Sequence, residues 1–188
     1  MNIIKKLKAW KESLNPVIQE ILSWLDVLVA AALIALFINS VLIANSTVPT
    51  GSMETTVMSG DRVMGSRLYY LSHDPERGDI VIFRWPDNEK IYYVKRLIGM
   101  PGETVEIKGG QVYIDGEPLD EPYIREPMNP NAPDMRFEVP EGSYFMLGDN
   151  RNYSRDSRYW NNPFVKKEKF IAKVLFRYYP NIADLRDR

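Results

Sequence analysis

The sequence predicts a mainly β fold: antiparallel sheets preceded by a single N-terminal transmembrane helix. Three observations carry this expectation. Trp24 to Ile43 is almost uninterruptedly apolar. From Ala44 onward the chain is a series of short β-branched and aromatic runs separated by Gly, Pro, Asn and Asp. No helix-period segment of convincing length follows the apolar stretch. The implied organisation is an N-terminal segment at 1–23, a membrane helix at 24–43 and a β-rich domain at 44–188.

As a helix, WLDVLVAAALIALFINSVLI would rise about 30 Å, close to the hydrocarbon thickness of a bilayer. Val27 to Ile38 carries no polar residue, while Asp26, Asn39 and Ser40 lie towards the ends. Lys5, Lys6, Lys8 and Lys11 precede the stretch, and no Lys or Arg occurs between Ala44 and Asp61. The positive-inside rule then puts the N-terminus in the cytoplasm and the β-rich domain outside. Before the anchor, Ile3, Leu7, Trp10 and Leu14 recur at helical spacing; both an interfacial helix ending near Pro16 and an unstructured tail fit. A cleaved signal peptide is disfavoured by Glu12 and Glu20 and by Leu42, which stands two residues before a cut after Ala44. An all-round apolar helix is also hard to bury in so small a domain, so an uncleaved anchor is expected.

The strands follow in order. Asp79–Phe83 and Ile91–Ile98 are β-branched runs, the second closed by Pro101-Gly102. Glu103–Ile107 and Gln111–Ile114 alternate in polarity around Lys108-Gly109-Gly110, a hairpin turn, and Asp115-Gly116 marks the next reversal. Ser143–Leu147 and Lys169–Tyr178 complete the set. Glu126–Pro133 holds three prolines and reads as a surface loop.

Composition excludes several functions. The chain has 188 residues, a net charge of −1, no cysteine and one histidine, His73. Disulfides, thiolate metal sites and a cysteine nucleophile are ruled out, and no charge argument supports nucleic-acid binding. A serine nucleophile would have to look beyond histidine for its base. His73 lies in the polar stretch LSHDPERGD and reads as a surface residue.

Three segments carry candidate chemistry. In VPTGSMETT, Ser52 lies nine residues beyond Ile43, with Gly51 before it and Pro49 stiffening the approach. A sharp turn there can present a hydroxyl and aim backbone N–H groups, with the Thr50 hydroxyl, at a developing oxyanion; taken alone, these residues read first as a small polar surface loop. In IYYVKRLI, Ile91, Tyr93, Lys95 and Leu97 share one strand face. A lysine among apolar neighbours loses hydration and its pKa falls, which makes it a possible general base. Either Lys95 or Arg96 could be the inward member of that pair. In GDNRNYSRDSRYW, Asp149, Arg151, Arg155, Asp156 and Arg158 can form an ion-pair network, and Ser154 can hydrogen-bond a neutral amine.

Together these segments resemble type I signal peptidase, the membrane-bound Ser/Lys protease that removes signal peptides. PTGSM with Thr56 and Gly60-Asp61, then GDIVIFRWP, YYVKRLIGMPGE and GDNRNYSRDSR resemble the family's boxes in order, just after an anchor. The resemblance implies a signal-peptidase-type β domain with Ser52 as nucleophile and Lys95 as general base. The Ser52 N–H and Thr50 hydroxyl would form the oxyanion hole. Ser154 would orient the lysine, Tyr93 would help bury it, and Asp156 and Arg158 would be a structural ion pair. It also implies signal-peptide-bearing preproteins and the lipid bilayer as partners, no metal or organic cofactor, and a place in the bacterial cell membrane. Departures include Thr55 where proline is common, Val57 for leucine, Asn152-Tyr153 for Asp-Asn, Asn161 for glycine and Ala172 for glycine. Met53, Met58, Tyr69, Tyr70 and Leu71 are candidates for dipping into lipid headgroups or for ordinary core packing. The rival readings are a Ser/Lys protease akin to self-cleaving repressors and a membrane-anchored β domain that only binds a partner.

Overall fold

A computed structural model describes residues 10–186. The chain divides into two compact units, Met1–Val41 and Leu42–Arg188. The interfacial helix expected over Ile3–Leu14 lies largely outside the described residues.

Helix α1, Pro16–Phe37, continues as a π-helical stretch, Ile38–Leu42. It starts well before Trp24 because its start is set by a cap rather than by hydropathy. Asn15 Oδ1 accepts the Val17 N–H at 2.9 Å, and Pro16 occupies the first turn, where its missing N–H is no loss. Pro16 begins this helix, and the helical residues 10–12 before it end short of Asn15, as a helix closing near Pro16 would. Asp26 sits on the helix in an ion pair with Lys11. Asn39 and Ser40 return their polar groups to the carbonyls of Ala35 and Leu36. No residue of α1 is buried, and Pro16–Leu42 is long and apolar enough to cross a membrane.

The second unit is mainly antiparallel β. Its strands are β1 Ile43–Thr47, β2 Arg62–Ser66, β3 Ile80–Trp85, β4 Asn88–Gly99, β5 Thr104–Lys108, β6 Gln111–Ile114, β7 Glu117–Pro118, β8 Met135–Glu138, β9 Ser143–Leu147, β10 Phe164–Lys166, β11 Phe170–Tyr179 and β12 Ala183–Asp184. One sheet has the order β1-β2-β11-β3-β4-β9-β10, with β12 beside β11; a second has the order β7-β6-β5-β8. The sole α-helix of this unit among the described residues is one turn, α2, Tyr69–Ser72. The expected hairpin across Gly109-Gly110 pairs Lys108 with Gln111, and the Asp115-Gly116 turn pairs Ile114 with Glu117.

The long strand β4 sets the geometry of the site. β3 pairs with it over most of its length, whereas β9 pairs only with Arg96–Gly99. Residues 91–95 therefore keep one backbone edge unpaired within the sheet. At the other end of the strand order, β1 pairs with β2 alone. β2 carries Gly65 opposite β11, where a Cβ would come within 2.7 Å of the Lys173 carbonyl oxygen; only glycine lets these strands meet. The packing beneath them includes Ala44, Val48, Met53, Val57, Val63 and Val174. Met53 is fully buried and is thus a core residue, while Leu71 is 81% exposed. His73 is exposed and stacks on Tyr69.

Candidate active site

The turn Gly51-Ser52-Met53 is a single 3₁₀ turn between β1 and β2. The Met53 side chain inserts into the core, which anchors the turn, and Ser52 lines a groove of about 450 Å³. One wall of the groove is Ser46–Thr50 and the other is Ile91–Lys95, with Tyr153 and Arg155 completing the lining.

Lys95 reaches Ser52 from β4, and its Nζ is in hydrogen-bond contact with Ser52 Oγ. Both residues are buried, Lys95 to 4% exposure. Desolvation pulls the amine down to about 8, and the Arg158 charge adds to this; Asp156 and Asp149 oppose it. The Tyr93 ring lies 5.5 Å from Nζ and packs against Trp85 and Trp160, forming an aromatic wall beside the amine. The alternation of β4 does send Lys95 and Arg96 to opposite faces, but both faces are covered. Arg96 is fully buried in a bidentate pair with Asp149, Nε to Oδ1 at 2.8 Å and Nη2 to Oδ2 at 2.6 Å. Strand periodicity alone could not show this, because it assigns a side but not what packs on that side.

The Gly148–Trp160 segment holds the turn in place. Asn150 donates its backbone N–H to the Ser52 carbonyl at 3.1 Å and its side-chain amide to the Gly51 carbonyl at 2.9 Å. Thr56 donates its hydroxyl to Asp149 Oδ2 at 2.5 Å. Asp156 accepts the Gly148 N–H at 3.0 Å and pairs with Arg158 at 2.7 Å. Arg151 pairs with Glu121, which lies outside the segment where the sequence suggested its partner would be. Asn150 was missed as well; its signal was its place within GDN, next to the aspartate.

Thr50 Oγ1 lies 3.3 Å from Ser52 Oγ, at the mouth of the groove. Ser154 is buried and its hydroxyl makes no hydrogen bond. It packs against Gly148, where a Cβ would come within 2.2 Å of Ser154 Oγ and 2.4 Å of the Ser52 carbonyl oxygen. Ser52, Lys95, Thr50 and Tyr93 thus converge on one groove, and Ser154, Asp156 and Arg158 stand behind it.

A buried hydroxyl held against an amine of depressed pKa, beside an open groove flanked by two strand edges, is the arrangement of a hydrolase that acts on extended peptides. Residues 21–179 match the family model described as signal peptidase, peptidase S26, and the chain belongs to that family of endopeptidases. Among curated relatives, the probable signal peptidase I-1 of Synechocystis is 37% identical over 163 residues, covering 83% of this chain and 81% of the relative. Signal peptidase IB of Staphylococcus aureus is 32% identical over 178 residues, covering 86% and 91% respectively. A crystal structure of signal peptidase I from Enterococcus faecalis is 38% identical, with a TM-score of 0.47, and covers 54% of this chain and 97% of that one.

Proposed function

We propose that the chain removes signal peptides from exported preproteins with a Ser52–Lys95 dyad, cutting after a small-x-small motif. The observation that carries this is the contact between a buried, weakly basic amine and a buried hydroxyl at the end of the groove. Neutral Lys95 takes the Ser52 proton as Oγ attacks the carbonyl of the last small residue. Thr50 Oγ1–H and the Ser52 N–H donate to the oxyanion. The ammonium of Lys95 then protonates the leaving amine, which departs as the N-terminus of the mature chain and leaves an acyl group on Ser52. Lys95, neutral again, deprotonates a water that hydrolyses the ester. Tyr93 shields the amine from solvent and Asp156–Arg158 fixes the loop behind it, while Ser154, whose hydroxyl makes no hydrogen bond, packs against Gly148 in that loop.

The precursor adds as an extended strand between the edges of β1 and β4, and the apolar helix anchors this site beside the bilayer from which signal peptides emerge. The orientation, with the N-terminus cytoplasmic and residues 44–188 outside, rests on the lysines before the helix. The test is cleavage of a precursor with an Ala-x-Ala site by the full chain in detergent and lipid. Cleavage should disappear in Ser52→Ala and in Lys95→Met. Activity surviving both substitutions refutes the dyad, and no cleavage by the unmutated chain refutes the function.

A further inference from the structure

Arg155 stands out on the groove because its charge is unused. Both carboxylates of the loop are committed elsewhere, Asp149 to Arg96 and Asp156 to Arg158, and Glu121 from outside the loop is taken by Arg151. Arg155 is exposed, lines the groove and enters no ion pair among the described residues. Among the described residues no carboxylate lines the groove, and Lys95, the other cation in its lining, is buried. Arg155 is therefore the charge on this groove that a bound chain can reach.

The direction in which a substrate runs decides what meets that charge. Each neighbouring pair along β1-β2-β11-β3-β4 is antiparallel, so β1 and β4, after four reversals, point the same way. Both walls of the groove thus lead to the Ser52–Lys95 pair. β1 begins at Ile43, directly after Leu42, the last residue of the apolar span. A precursor whose apolar segment lies in the bilayer enters at the Ile43 end and runs along β1 towards Ser52. Its residues after the cut fall beyond Ser52, and the 150–155 turn lies against the Ser52 backbone. That turn is pinned at both ends of its reach: Asn150 bonds the Ser52 carbonyl, and Ser154 packs on Gly148. Tyr153 and Arg155, on either side of Ser154, line the groove.

We propose that Arg155 is a specificity-determining residue that favours precursors with an acidic side chain at the middle position of the small-x-small motif or at the first position after the cut. The two small residues of the motif give a guanidinium nothing to bind, so the preference is read at the two variable positions on either side of the last small residue. The proposal rests on the peptidase reading of this groove. Its test uses the full chain and one precursor varied only at those two positions as Glu, Gln or Lys. At low salt, kcat/KM for Glu should exceed that for Lys by about threefold to tenfold, as expected of a solvent-exposed ion pair and its like-charge counterpart. The preference should shrink at 1 M salt, survive Arg155→Lys, vanish in Arg155→Gln and invert in Arg155→Glu. Equal cleavage of Glu and Lys precursors, or a preference that Arg155→Glu leaves unchanged, overturns this inference while leaving the peptidase reading intact. No cleavage of any precursor by the unmutated chain overturns both.

Discussion

Replacing Lys95 with methionine should abolish cleavage and yet make the β-rich unit more stable at pH 7. The reasoning starts from the amine being pulled from 10.5 to about 8 by burial. At pH 7 a lysine with a pKa of 8 is about 9% neutral, against about 0.03% for an unperturbed one, so the site gains about 300-fold in available base. kcat/KM should therefore rise about tenfold per pH unit below 7.5 and level off near pH 9. The same shift burdens the fold. Between pH 8 and 10.5 the unfolded chain binds more protons than the folded one, so stability rises with pH through that window. Below pH 8 both states are charged and the full penalty, about 3 kcal/mol, is present. Methionine fills a similar volume without charge. It forfeits the hydrogen bond to Ser52, worth about 1 kcal/mol, and leaves a net gain of about 2 kcal/mol, or about 4–8 °C in Tm. Thermal unfolding of the full chain in detergent at pH 7 and pH 10 measures this, and the gap should narrow at the higher pH. A Lys95→Met variant that is less stable than the parent at pH 7, or a flat activity profile from pH 5 to 9, would refute the reasoning.

Thr50→Val should lower kcat by about 10²-fold with little change in KM, and Thr50→Ser should restore most of it, because the hydroxyl beside Ser52 Oγ is assigned to the oxyanion; unchanged kcat in the valine variant removes Thr50 from the hole. Asp149→Asn strands a fully buried guanidinium and should destabilise the fold by about 3–5 kcal/mol, read as a drop in Tm. It should also move the activity profile to lower pH, since the Asp149 charge raises the Lys95 pKa; a shift the other way contradicts that assignment. Gly148→Ala places a methyl group against Ser154 Oγ and the Ser52 carbonyl, and a displacement of about 1 Å at the nucleophile should cut kcat by about 10²-fold. Single-turnover kinetics separates this from weaker binding, and an alanine variant with parental kcat shows that the contact is not needed.

The sequence by itself determined the apolar span, most of the long strands, the two tight turns around β6 and the family to which the chain belongs. These features are local: hydropathy, period-two alternation and turn chemistry act over a few residues, and four ordered motifs are read along the chain. Short strands such as β1, β2, β8 and β10 escaped because their pairing partners, not their own residues, make them strands. The start of α1 also escaped, since a cap at Asn15 fixes it rather than the apolar stretch. Only the tertiary structure decided that Lys95 meets Ser52 from 43 positions along the chain, and that Arg96 is buried as deeply on the opposite face. It also decided that Asp149 and Arg151 find their partners outside their own loop. The physical reason is that burial, and with it the pKa of an amine, depends on what packs against a strand from distant parts of the chain. No window of neighbouring residues contains that information.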